Sequence, residues 1–180
     1  MKKWLLALGL TSAIVVAGCS SDDESAEENT DQTEQTDEKS GDEQDAKKAV
    51  IDAQMNMKDT FHPYQEKITA YQTAASAEEP DAEAVKAAGE EAKTAADEAA
   101  EAATGFEVEA DVSDEVKTQI EEAVPSLQAY YEEVSKALDE SIEEADFTAA
   151  DEKAAEFNEK IGKVFEDAGL AAPDMMKELS

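Results

Sequence analysis

The stretch Asp114–Ile142, DEVKTQIEEAVPSLQAYYEEVSKALDESI, decides the fold class. Its large apolar residues Val116, Ile120, Val124, Leu127, Tyr131, Val134, Leu138 and Ile142 recur at steps of three and four from end to end. Such steps return a side chain to one face of a helix, whereas a half-buried strand needs strict alternation. The segment is read as an amphipathic helix, capped at its start by Asp111 or Ser113. Pro125 lies inside it. A fresh helix starting there would take Val124 as its cap, a poor one, so one kinked helix is expected.

Toward the N-terminus, Phe106 to Ser113 form a connection, and Gly105 ends a preceding helix that begins after a turn around Ser76 to Asp81. Val85 is the only large apolar residue of that helix, among many alanines (Ala84, Ala88, Ala92, Ala95, Ala96, Ala99, Ala103). Alanine favours helix but buries little area. The segment is therefore either the weakest part of the core or a smooth face that another helix approaches closely. The first helix carries Ile51, Met55, Phe61, Tyr64, Ile68, Tyr71 and Ala75 as one stripe. Pro63 removes the donor for the carbonyl of Asp59, which predicts a kink or a split there.

Beyond residue 142, Phe147 to Asp151 read as a loop followed by a cap at Thr148. Ala154, Phe157, Ile161, Val164, Phe165 and Ala168 then form a fourth stripe ending at Gly169. Met175, Met176 and Leu179 in the tail are available to pack back. No run alternates as a strand would. The expectation is an all-α protein in which residues 46–180 form an antiparallel bundle of about four helices, in one domain. The first and third stripes lie close to a coiled-coil heptad, so self-association is a further expectation.

The first 45 residues are of another kind. Lys2 and Lys3 precede an apolar run from Trp4 to Ala17, too short to span a bilayer comfortably and laid out as a secretory signal. It closes with Val16-Ala17-Gly18-Cys19, which resembles the lipobox of bacterial lipoproteins. The general layout is most similar to the small helical lipoproteins of Gram-positive bacteria. The resemblance implies a signal peptide over 1–18, cleavage before Cys19, and a diacylglyceryl thioether on Cys19 that anchors the chain to the extracytoplasmic face of a cell membrane. Ser20 is not the aspartate associated with inner-membrane retention, so in a two-membrane cell the outer one is expected. Cys19 is the only cysteine, so its acylation leaves no thiol for a disulfide or a nucleophile.

Residues 19–45 carry twelve acidic side chains and no apolar residue beyond Cys19 and alanine. Nothing there offsets the entropy of folding, so a disordered acidic tether is expected, spanning roughly 28 Å as a neutral coil.

The net charge is -31, and loss of Lys2 and Lys3 with the signal makes it -33. All 15 basic residues are lysine. So acidic a chain repels nucleic acid and anionic headgroups, which call for positive charge and usually arginine. It attracts cations, and the expected partner is a cationic or lysine-rich envelope protein.

Catalytic constellations lack their parts. His62 is the only histidine, which excludes His-rich zinc sites, paired Glu-x-x-His sites and His-centred triads. There is no Gly-rich phosphate loop and no nucleophile elbow. Asp59 lies one turn before His62, a pair read as a surface or kink feature rather than a metal site. Glu107, Glu109, Asp111, Asp114 and Glu115 superficially resemble a calcium loop, but Val112 stands where the sharp-turn glycine belongs. No cofactor and no metal are assigned. The candidate binding cleft is Phe61, Tyr64 and Tyr130, brought together if Pro63 and Pro125 lie at one level of the bundle. The expectation is a non-catalytic binding or scaffold module, with a small-ligand or cation-binding lipoprotein as the alternative.

Overall fold

The computed structural model describes the backbone of residues 34–180 and the side chains of residues 43–180. The signal segment, Cys19 and the tether up to residue 33 lie outside the described residues. Five helices follow: α1 (Glu34–Ala75), α2 (Ala82–Thr104), α3 (Asp114–Glu140), α4 (Thr148–Asp167) and the short α5 (Met175–Leu179). Among the described residues there is no strand. The four long helices pack in chain order, α1 on α2, α2 on α3 and α3 on α4, as an antiparallel bundle. Contact between α1 and α4 is slight, and α5 packs against both of them.

The start of α1 differs from the expectation. Residues 34–45, expected in the tether, form the first part of this helix. Once a helix exists, each added residue costs only its own propensity, and Glu, Gln and Lys propagate well. Acidic side chains also favour the positive end of the helix dipole.

The buried stripe of α1 differs too. It consists of Val50, Ala53, Met57, Phe61, Gln65, Ile68 and Tyr71, while Ile51 and Met55 are 41% and 57% exposed. The helical spacing holds, but in the first half of α1 the neighbouring face, with Val50, Ala53 and Met57, turns inward. Of the stripe expected from sequence, Phe61, Ile68 and Tyr71 are buried inside the bundle.

Both prolines are accommodated within continuous helices, so α1 is not split at Pro63. At Pro125 the neighbouring polar groups are satisfied from α4: Lys160 Nζ donates to Ser126 Oγ at 2.8 Å and to the Glu122 carbonyl at 3.3 Å.

On α2 the structure decides between the two readings of the alanines. Ala92, Ala96 and Ala99 are fully buried between α1 and α3. Gly89 continues this face, because a Cβ there would collide with Ile142 and crowd the Tyr71 ring. The slim helix lets larger residues of its neighbours meet, and Phe61 of α1 stacks on Tyr131 of α3 with ring centroids 5.9 Å apart.

The helix ends follow capping chemistry. Asp81 accepts from the amides of Glu83 and Ala84, and Ser113, one of the two expected caps, accepts from Val116 at 3.3 Å. Thr148 is not the cap of α4. It is the first helical residue, and Asp146 accepts from both its amide and its hydroxyl, at 3.0 and 2.6 Å. An aspartate two residues earlier offers a stronger acceptor than a threonine hydroxyl. At the far end of α4, Gly169 adopts a φ of 68°. The Leu170 amide then reaches the Phe165 carbonyl at 2.8 Å and the Gly169 amide reaches Glu166 at 2.9 Å, a Schellman turn.

That turn directs the tail back over the seam between α1 and α4. Met175 and Leu179 are fully buried there. The His62 ring donates from Nδ1 to the Leu179 carbonyl at 2.9 Å, a polarity fixed because a carbonyl can only accept. Asn158 of α4 binds both Asp174 and the Met176 amide. The void beside this plug, lined by Val50, Met57, Ile161 and Met175 among others, is about 10 Å³, no larger than one water.

Candidate functional site

A groove of about 750 Å³ lies on the outer side of the α1–α2 seam. From α1 come Pro63, Tyr64 and Lys67, and from α2 come Ala87, Glu90, Glu91, Thr94, Ala95 and Glu98. The α2 residues recur at helical steps over about three turns, so the groove runs along the helix for roughly 16 Å. Its existence follows from residue size. Where α2 presents Ala87 and Ala95 beside α1, nothing fills the seam outward, and the long glutamates flank it.

The electrostatics are one-sided. Lys67 Nζ lies 3.5 Å from Glu91 Oε2, and among the described residues Glu90 and Glu98 form no ion pair. Three carboxylates thus face one ammonium. The Tyr64 ring and Pro63 add apolar surface, which suits the stem of a long cationic side chain.

Of the residues assigned to a cleft from sequence, only Tyr64 lines this groove. Phe61 is 0% and Tyr130 4% exposed. Where a cleft is expected from sequence there is a filled aromatic core. Phe61 stacks on Tyr131 and lies 5.5 Å from Phe106, and Tyr130 sets its edge against Tyr131 at 4.9 Å. The Tyr130 hydroxyl rests on the buried Gln65 carboxamide, 3.0 Å from Nε2 and 3.2 Å from Oε1. Among the described residues the Tyr131 hydroxyl has no hydrogen-bond partner. Burial pushes Tyr130 up to about 12 and Tyr131 well above the ordinary tyrosine range. Cys19 lies outside the described residues.

Two other polar clusters have structural geometry. Ser135 on α3 donates to Asp97 on α2, and Lys93 lies 3.2 Å from Asp97 and 3.8 Å from Asp139. The Ser135 hydrogen bond holds the Asp97 carboxyl below its usual range; burial opposes it, and Lys93 adds smaller lowering contributions. A carboxylate so stabilised is a weak base, and the cluster ties α2 to α3 rather than activating the serine. The acidic connection 106–113 packs its apolar residues Phe106, Val108, Ala110 and Val112 inward and leaves Glu107, Glu109 and Asp111 in solvent. Among the described residues no three His, Cys, Asp or Glu side chains converge as metal ligands. Nor is any described helix long and apolar enough to cross a membrane.

No protein-family model, no curated protein and no solved structure matches the chain, so no relative supplies a ligand for the groove.

The groove was illegible in the sequence because its walls are a few glutamates among 46 acidic residues. The available signal was Ala87 and Ala95 two turns apart on one helix, next to a proline and a tyrosine on another.

Proposed function

We propose that this chain is a membrane-anchored extracytoplasmic lipoprotein whose helical bundle acts as a non-catalytic binding or scaffold module of the cell envelope. The observation that carries the binding role is the open groove between α1 and α2, set on a bundle whose interior is filled by side chains. A shallow, elongated concavity suits a macromolecular segment better than a small molecule, which is usually enclosed over most of its surface. Support for the address comes from sequence: Val16-Ala17-Gly18-Cys19 provides a lipid attachment site at Cys19. Support for a spacer comes from both sources. Within the acidic stretch α1 begins at Glu34, and its residues 43–46 are exposed ahead of the first buried position, Val50.

The test is cross-linking of the tagged full chain on intact cells, with Cys19→Ser as the control. The expected result is fractionation with membranes and capture of a discrete envelope protein, both lost in the variant. Soluble behaviour of the unaltered chain would overturn the anchor. Membrane fractionation with only background capture would overturn the binding role.

A further inference from the structure

We propose that the α1–α2 groove docks a lysine-rich segment of a partner protein, with lysine stems on its apolar floor and ammonium groups between its glutamates. This inference rests on the reading of the chain as a binding module and assigns that module its surface and the chemistry of its partner.

The groove already seats a lysine of its own chain. Lys67 reaches across from α1 to Glu91 with its ammonium 3.5 Å from the carboxylate, which shows that the walls lie within reach of a lysine head. Glu90 and Glu98 have no such partner among the described residues. Glu91 and Glu98 stand two helical turns apart, about 10 Å along α2. Lysines three apart on an extended segment, or seven apart on a helix, match that interval. Tyr64 presents a ring at the same groove, where an ammonium gains cation–π attraction.

Charge selects among occupants. A second copy of the chain carries the same net charge of -31 and meets repulsion here, as do the chain's own acidic N-terminal stretch and a nucleic acid. A second acidic concavity, between the end of α3 and the start of α4, is about 300 Å³. Glu133 pairs with Lys136 at 3.0 Å and Asp146 accepts from Thr148, while Glu140 and Glu152 form no ion pair among the described residues; its lining is as acidic as the groove's but holds no aromatic ring and no proline. It serves as the control surface.

The experiment uses the full lipidated chain in vesicles of zwitterionic lipid and fluorescent decalysine as the probe, read by anisotropy at near-physiological salt. Three proteins are compared: the unaltered chain, E90Q/E91Q/E98Q in the groove, and E133Q/E140Q/E152Q on the control surface. The two triples lose equal charge, so diffuse attraction weakens equally in both. The expected result is about tenfold weaker binding for the groove triple and less than about twofold for the control. Tyr64→Leu, which keeps an apolar floor but removes the ring, is expected to weaken binding by about threefold. Equal weakening in the two triples, or no binding by the unaltered chain, overturns the groove. Whether the module reading survives is read separately from the cell-surface cross-linking. A partner captured equally by the unaltered chain and the groove triple leaves the module standing and removes the groove.

Discussion

Helix α1 has two flanks, and they are finished in opposite ways. Toward α2 its neighbour is a run of alanines, the backbones come close, and the outer edge of the seam stays open as a groove walled by glutamates. Toward α4 contact is slight, and the chain spends its last residues on a plug, α5, that fills the seam with Met175 and Leu179. The difference shows how side-chain size governs exposure. Small residues close a helix pair without material to spare for its rim, whereas larger residues such as Met57 and Phe165 hold the helices apart until something fills the gap.

The sharpest way to break this contrast is to empty the plug. Met175→Ala and Leu179→Ala are each expected to cost about 2–5 kcal/mol, read as a lowered midpoint in urea unfolding. A combined loss below about 1 kcal/mol would mean that α5 merely rests on the surface.

Between the two flanks lies the tyrosine core, and alkaline pH probes it. Tyr130 keeps its proton in the folded state up to about 12, while an unfolded tyrosine has the ordinary value of 10.0. Its contribution is therefore complete below pH 10 and is lost as pH rises from 10 to 12, by about 3 kcal/mol over that window. Tyr131 is raised by burial as well and adds to the same slope. A stability profile flat across this window would show that water reaches the core.

At neutral pH the two tyrosines separate. Tyr130→Phe strips buried Gln65 of its partner and is expected to cost about 1–3 kcal/mol, whereas Tyr131→Phe removes an orphaned hydroxyl and should be neutral or stabilising. Paired thermal melts decide this, and equal losses for both would contradict the assigned hydrogen bonds.

On the plugged flank, His62→Ala removes the bond to the Leu179 carbonyl at an expected cost of about 1 kcal/mol, with faster hydrogen exchange in residues 175–179. The smallest effect belongs to the open flank. Glu98→Gln should change stability by less than about 0.5 kcal/mol in urea unfolding, because an unpaired surface carboxylate holds nothing together. A larger loss would make the groove structural.

Legibility in the sequence followed the contrast in side-chain size. The stripes of α3 and α4 were readable because their apolar residues are large and evenly spaced, and they are buried largely as the spacing implied. In the first half of α1 the observed inward face differs from the expected one. Val50 and Ile51 are adjacent and equally apolar, and Ala53 is too small to declare a face, so the rotation of the helix was underdetermined. Residues chosen for their shared level, Phe61 and Tyr130, do meet the same core but from inside it, and only Tyr64 reaches a surface concavity. Gln65 and His62 gave no signal, because their roles depend on Tyr130 and Leu179, residues far away in the chain.

By itself the sequence determined that this chain is helical, where its main helices fall, that it is strongly acidic, and that it carries a lipobox-like motif. Those properties follow from local periodicity, composition and a contiguous motif. The tertiary structure alone decided which face of α1 turns inward, that the alanines of α2 permit close approach, that α5 closes one seam, and that a groove is left along another. Each of these depends on how much space remains between two helices once all their side chains are placed, and that is a property of pairs of elements which no single segment encodes.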